Sequence, residues 1–254
     1  MSGLAALLDD LVFSLIFLTR IPLPAGPAAR EHPLASAMRV FPVAGAIIGT
    51  IGALAFAAAR ALGAPSPLAG AIAVAALVAV TGSLHEDGFA DVADGFGGGR
   101  TRERKLEIMH DSRLGSYGGA ALALSLILRV TAAGTLGTWD AACAFVAAGA
   151  LSRGLIPVSM TLNLSARSDG VGASSGHPAD GSTWMAVFVA LLAALVVLGP
   201  AQGLVCFVLG LAAVAALAAL ARRQIGGYTG DVLGAGAQTV DILVMVAVAI
   251  LRAP

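Results

Sequence analysis

Long apolar runs alternate with short polar breaks along this chain, and the runs have the length of membrane-crossing helices. Leu4 to Leu18 is a first, short apolar segment that carries Asp9 and Asp10. It either spans or lies in the interface as an amphipathic helix. Thr19-Arg20-Ile21-Pro22-Leu23-Pro24 ends it, because proline has no N–H with which to continue the ladder. Further runs cover 40–62, 68–84, 120–136, 141–161, 184–198, 204–221 and about 239–251. The pattern predicts an all-α, polytopic transmembrane bundle of about seven spans, with six to eight allowed by the length. Gly45, Gly49, Ala53 and Ala57 recur every fourth position in the second run. Such a stripe of small residues lets another helix approach closely, although alanine-rich composition alone produces it too.

Threading these runs through a bilayer puts the polar segments 20–39, 85–117, 163–183 and 222–238 on one side. The opposite connections, 63–67, 137–140 and 199–203, are short and nearly uncharged. Most of the Arg and Lys lie on the polar side, so that side is expected to face the cytoplasm, and the candidate chemistry faces the same way. Trp139 fits an interfacial position.

Composition agrees. The 254 residues are 58% hydrophobic and only 12% charged, and the mean hydropathy is +0.89, whereas a soluble domain carries about a quarter charged residues. One integral-membrane domain over 1–254 is expected. The formal net charge is zero, so bulk charge gives no reason to expect nucleic acid as a partner. Cys143 and Cys206 lie in apolar runs and are expected as small buried or lipid-facing residues. The N-terminus has no basic leader with a cleavage site, and no secretory signal is expected.

The densest acidic cluster is Leu84 to Arg100, LHEDGFADVADGFGGGR. If a helix continues into it from the preceding run, Asp87, Asp91 and Asp94 stand at i, i+4 and i+7 on one face. Three like charges there repel, and a divalent cation would reverse the sign of that energy. Hard oxygen ligands suit Mg²⁺, Mn²⁺ or Ca²⁺, and Mg²⁺ shares its shell with waters and substrate phosphates. The bland alternative is a solvated acidic helix end. Segment 85–117 holds seven acidic and five basic residues, and Leu106, Met109 and Leu114 suggest a short amphipathic helix in its second half. Asp111 is a further ligand or base. Asp231, in a glycine-rich polar segment, is a third acidic site or else a turn residue.

Arg129 and Arg153 sit inside apolar runs, where a charge is costly. They either face a polar cavity and bind phosphate, as a guanidinium does in bidentate fashion, or snorkel to the interface. Gly95, Gly97, Gly98 and Gly99 either cradle phosphate with backbone N–H groups or simply end the helix. His85, beside the carboxylates, could orient a nucleophile or act as a base. His32 and His177 receive no role. No zinc pattern, Ser-His-Asp order or P-loop occurs. Carboxylates, a hard metal and internal arginines at one membrane face point to phosphoryl-group chemistry, with one acidic residue, Asp91 or Asp111, taking a proton from an attacking hydroxyl.

The segment His85-Glu86-Asp87-Gly88-Phe89-Ala90-Asp91-Val92-Ala93-Asp94-Gly95 resembles the signature of the cobalamin synthase (adenosylcobinamide-GDP ribazoletransferase) family. So do Glu107 to Gly115 (EIMHDSRLG) and Gly226 to Ala235 (GGYTGDVLGA). Phe17 to Pro22, Phe41 to Gly45 and Ser152-Arg153-Gly154 look like its other landmarks, in the same order across nearly the whole chain. The resemblance implies a multi-span inner-membrane enzyme of the last steps of cobalamin assembly. Its substrates would be adenosylcobinamide-GDP and α-ribazole or α-ribazole 5′-phosphate, its products adenosylcobalamin (5′-phosphate) and GMP, and its cofactor Mg²⁺. On that reading Asp87, Asp91, Asp94 and Asp231 hold metal, and Asp91, Asp111 and His85 are catalytic. Arg113, Arg153, Gly95, Ser112 and Thr229 contact substrate. The logic is similar to that of the CDP-alcohol phosphotransferases, but Gly115 stands where a fourth aspartate would be sought. Gln238 and Asp241 stand where glutamates are expected, and neither is given a role. The alternatives are a phospholipid-making phosphotransferase of the same chemistry and a cation transporter that uses the acidic cluster as an ion path.

Overall fold

The computed structural model describes residues 3–24, 34–166 and 176–252. Among them the chain is helical, and the one β-type contact is an isolated parallel bridge between Ser165 and Tyr228. The expected loop residues Arg30, Glu31 and His32 lie outside the described residues.

Helix α1 is Gly3–Leu18. Two short turns, Leu34–Ala37 and Met38–Val40, lead into α2, Phe41–Ala61, whose Pro42 stands in the first turn, where a missing N–H costs nothing. Then come α3 (Ser66–Thr81), α4 (Leu84–Gly98), α5 (Arg102–His110), α6 (Ser116–Thr135), α7 (Thr138–Gly154) and α8 (Ile156–Leu162). The last three are α9 (Asp180–Leu198), α10 (Pro200–Ile225) and α11 (Gly230–Leu251). Stretches 34–61, 116–135, 138–162, 180–198, 200–225 and 230–251 are each long and apolar enough to cross a bilayer. The bent pair α3–α4 makes a seventh if it counts as one span. The protein is a polytopic helical bundle, as the run pattern predicts.

One expectation fails at the third run. The apolar segment does not pass straight into the acidic cluster. Gly82 and Ser83 both adopt left-handed backbone (φ 62° and 61°), and α4 departs from α3 at 90°. Arg20 fills the corner: its N–H bonds the Val80 carbonyl at 2.7 Å, and its side chain lies where a Cβ on Gly82 would sit.

The small-residue stripe does what its spacing suggests. Gly45 and Gly49 press against the backbone of Gly149 and Phe145 on α7, so closely that a Cβ at Gly45 or Gly149 would fall on the other residue's carbonyl oxygen. Helices α7 and α11 are the buried centre, and α6, α9 and α10 turn Leu124, Ile127, Phe188, Val196 and Val208 outward, as lipid-facing helices do. Cys143 and Cys206 are buried and unbonded to each other.

Helix α1, at 16 residues, is shorter than the spanning stretches. It is tied to the two short turns before α2 by the buried Asp10, which pairs with Arg39, and by the Ser14 hydroxyl, 3.3 Å from the Ala37 carbonyl. The two poles of the bundle differ. At one, Arg102 donates to the carbonyls of Ile225 (2.8 Å) and Ala166 (2.7 Å), and the Tyr228 N–H donates to Leu164 (3.0 Å). This joins α5 to the segments around 165 and 228. At the other, Arg252 bonds Asp140, Gln202 and the Leu198 carbonyl.

Candidate active site

Helix α4 carries the acidic row as a helix, so Asp87 and Asp91 do stand one turn apart. Asp87 is exposed and Asp91 half-buried. Between them in sequence, Gly88 lies on the start of α11: a Cβ there would be 2.8 Å from the Asp231 carbonyl oxygen and 3.0 Å from the Asp231 Cα. This contact brings Asp231, 143 positions after Gly88, beside the acidic helix. Asp231 opens α11. Thr229 caps that helix by accepting from the Val232 N–H at 3.3 Å, and its hydroxyl donates to Asp231 Oδ2 at 3.2 Å. Thr229, expected as a substrate contact, is buried and spends its hydroxyl on this cap.

Asp94, expected as a third metal ligand, has another partner. One carboxylate oxygen accepts from the Gly115 N–H (2.7 Å) and the other from the Gly118 N–H (2.8 Å). These are orphan donors at the start of α6, which has no side-chain cap of its own. Asp94 therefore caps a helix that is not its own, and a Cβ on either glycine would collide with its carboxylate. An aspartate in place of Gly115 would meet that carboxylate.

The glycines that follow do not form a phosphate cradle. Gly95, Gly97 and Gly98 lie within α4, where the helix uses their amides, and the Gly99 N–H closes the helix on the Gly95 carbonyl at 3.0 Å. Gly95 is needed for close packing instead: a Cβ there would run into Met109 and the Lys105 carbonyl of α5. Of the two readings, helix ending and packing is the one observed.

Asp111 and Arg113 form a bidentate pair in the loop between α5 and α6, at 3.0 Å (Nε) and 2.5 Å (Nη2). The Arg113 side chain, and after it the Arg113 backbone N–H, holds the Asp111 carboxyl down at about 2. Such a group is a durable anion and a weak base. Asp111, Arg113, Asp94, Gly115, Ser116 and Tyr117 line an open cleft of ≈ 270 Å³. Ser112 is exposed beside it.

Behind α4 lies a buried charge network that the spacing argument missed. Glu86 pairs with Arg129 at 2.8 Å, Arg129 with Asp241 at 2.9 Å, and Asp241 with Arg153 at 3.3 Å. Arg153 also donates to Ser152 Oγ (2.7 Å) and lies 3.2 Å from His85 Nδ1. Because a guanidinium only donates, this His85 nitrogen accepts and the ring proton sits on Nε2. Arg129 does not snorkel: it is 2% exposed and doubly paired. Arg153 is likewise enclosed, so neither arginine reaches an open surface. Nearby, Gln238 donates to Ser125 Oγ at 2.7 Å. The available signal was arithmetic. Arg129, Arg153 and Asp241 all fall inside apolar runs, and with Glu86 they sum to zero.

Among the described residues no three His, Cys, Asp or Glu side chains come together as a metal site, so the four-aspartate set is not assembled. The donor chemistry fits Mg²⁺ in its usual form nonetheless. One or two carboxylates suffice when substrate phosphates complete the shell, and Asp87 and Asp91 stand on one partly open helix face with Asp231 adjacent.

Helices able to span and a self-neutral ionic interior define a multi-pass membrane protein with a row of carboxylates at one pole. The chain belongs to the cobalamin-5-phosphate synthase family, whose model matches residues 10–249. It is 44% identical over 241 residues to an adenosylcobinamide-GDP ribazoletransferase of Bradyrhizobium diazoefficiens, covering 94% of this chain and 93% of that relative. It is 46% identical over 242 residues to the protein of that name from Mesorhizobium japonicum (94% and 92% covered) and 43% identical over 258 residues to that from Azorhizobium caulinodans (98% of each). No solved structure matches the chain.

Proposed function

We propose that this protein is an adenosylcobinamide-GDP ribazoletransferase that performs a last step of cobalamin synthesis. One observation supports this best. The family-like segments, far apart in sequence, meet around α4: Asp94 bonds Gly115 and Gly118, Gly88 touches Asp231, and His85 meets Arg153. A ribose hydroxyl of α-ribazole, or of its 5′-phosphate, attacks the phosphorus attached to cobinamide. The bond from that phosphorus to the bridging oxygen breaks, the oxygen leaves with GMP, and the hydroxyl proton passes to a carboxylate. Asp91 is the proposed acceptor, because Asp111 is held ionised by Arg113 and His85 Nδ1 is occupied by Arg153. Asp87 and Asp91, with Asp231 adjacent, would offer one or two carboxylates to Mg²⁺, which when bound would supply neutralisation of the pyrophosphate charge. Asp94 works from behind as the cap that fixes the Asp111–Arg113 loop. Arg113, largely exposed at the cleft, is the proposed phosphate contact. The excess of Arg and Lys at this pole supports a cytoplasmic orientation in the inner membrane.

The rival readings have less support. Ion transport wants acidic groups strung through the interior, yet Glu86 and Asp241 are each paired with arginine. The test is turnover by purified protein in detergent or liposomes. Adenosylcobinamide-GDP and α-ribazole or its 5′-phosphate are supplied with Mg²⁺ or with EDTA, and GMP and cobalamin are followed by mass. Metal-dependent appearance of both products is expected. Their absence in folded protein sinks the transferase reading, and equal turnover in EDTA sinks the metal. Labelling of Ser112→Cys by an impermeant maleimide in intact spheroplasts would overturn the cytoplasmic orientation.

A further inference from the structure

Helix α4 leaves α3 at a right angle through only Gly82 and Ser83, so chain continuity does little to fix its direction. It also contains Gly88, Gly95, Gly97 and Gly98, which give it few side chains to wedge against neighbours. Beyond the Gly88–Asp231 contact and the Asp94 bonds to α6, its register is held by two successive residues in its first turn. His85 meets Arg153 of α7 at 3.2 Å, and Glu86 meets Arg129 of α6 at 2.8 Å. The two arginines converge on the two oxygens of Asp241 in α11, at 2.9 and 3.3 Å. All four charged side chains are more than nine-tenths buried.

We infer that Asp241 is a positioning residue: by bridging Arg129 and Arg153 it makes a strut that sets where α4 presents Asp87 and Asp91. Two carboxylates and two guanidiniums cancel only when α4, α6, α7 and α11 are all in place. A one-residue rotation of α4 would strand Glu86 away from Arg129 in an apolar interior, where an unpaired charge is strongly penalised. Apolar side chains of similar volume would hold the helices together at least as well, because buried ion pairs are poor net stabilisers. What an ionic strut adds is a single permitted register, and the residue after Glu86 is Asp87. Asp241 itself touches no reacting atom and acts through Arg129 and Arg153. The functional half of this inference rests on the transferase reading above.

The test uses the full-length protein in detergent, with Asp241→Asn and the charge-retaining Asp241→Glu. Hydrogen–deuterium exchange of peptides from 84–98, in the absence of substrate, reads the strut without reference to activity. In Asp241→Asn, exchange should rise in 84–98 while the α2–α7 core stays protected, and Asp241→Glu should restore protection. In turnover assays Asp241→Asn should lower kcat by about 100-fold, the scale of an ångström-level misplacement of reacting groups. KM for each substrate should change by less than about threefold, and Asp241→Glu should recover to within about tenfold of wild type. Unchanged exchange in 84–98 of folded Asp241→Asn overturns the strut, and so does kcat retained in that variant. A loss shared equally by Asn and Glu variants overturns the role of charge. If Asp241→Asn does not purify folded, Glu86→Gln, which leaves Asp241 between its arginines, is read by the same two outcomes. A wild-type protein without transferase activity overturns the functional half alone, and exchange still decides whether Asp241 holds α4.

Discussion

Gly88 and Asp231 touch backbone to backbone, with room for no side chain between them: a Cβ on Gly88 would lie 2.8 Å from the Asp231 carbonyl oxygen. That contact joins the acidic helix to the start of the last span. Gly88→Ala should force α4 and α11 apart, lower turnover by about 10- to 100-fold and destabilise by about 1–3 kcal/mol. Gly234→Ala, on the same helix pair, is the control, since its Cβ would meet neighbours no nearer than 3.5 Å. Turnover and thermal unfolding in detergent check both, and equal behaviour of the two variants would refute the distinction.

The Asp94 cap makes a graded prediction. Asp94→Ala leaves the Gly115 and Gly118 N–H groups without acceptors and should cost about 1–2 kcal/mol. Asp94→Asn keeps one acceptor oxygen and should lose less. Thermal unfolding without Mg²⁺ separates them. If neither variant shifts the midpoint in metal-free buffer, the carboxylate is not serving as a cap.

At the α2–α7 crossing, Gly149→Ala puts a methyl into the Gly45 carbonyl. Overpacking of this kind costs about 1–3 kcal/mol. Gly181→Ala has nothing within 4 Å of its Cβ and should stay within about 0.5 kcal/mol. Unfolding midpoints of the two variants, compared with wild type, make the measurement.

The Asp111–Arg113 pair fixes a sign for pH. The folded carboxyl titrates at about 2, below its ordinary 3.8. Its contribution to stability is thus complete above the unfolded value and is lost as pH falls through about 2. Between about pH 5 and 8 it stays ionised, so the activity ratio of wild type to Asp111→Asn should be flat across that window. A ratio that slopes with pH would mark Asp111 as a titrating base and contradict the pair.

Much was legible in the chain alone, because the bilayer imposes a simple code. Run length gave the spans, proline and glycine the breaks, and the four-residue stripe from Gly45 the close helix crossing. Local periodicity also put Asp87 and Asp91 on one face of α4. What sequence reasoning could not fix was who pairs with whom across helices. The right-angle turn depends on a non-glycine, Ser83, held in left-handed backbone beside the Arg20 corner. Asp94 looked like its neighbours until the start of α6 came within 2.7 Å of it. Asp241, given no role from its position, bridges two arginines because four helices bring their charges to one point. Spans and the acidic row follow from the sequence, since they depend on local spacing and on transfer into lipid. The partners of Asp94, Asp241 and Arg129 were decided by tertiary structure, since a buried charge takes whichever opposite group the packing delivers.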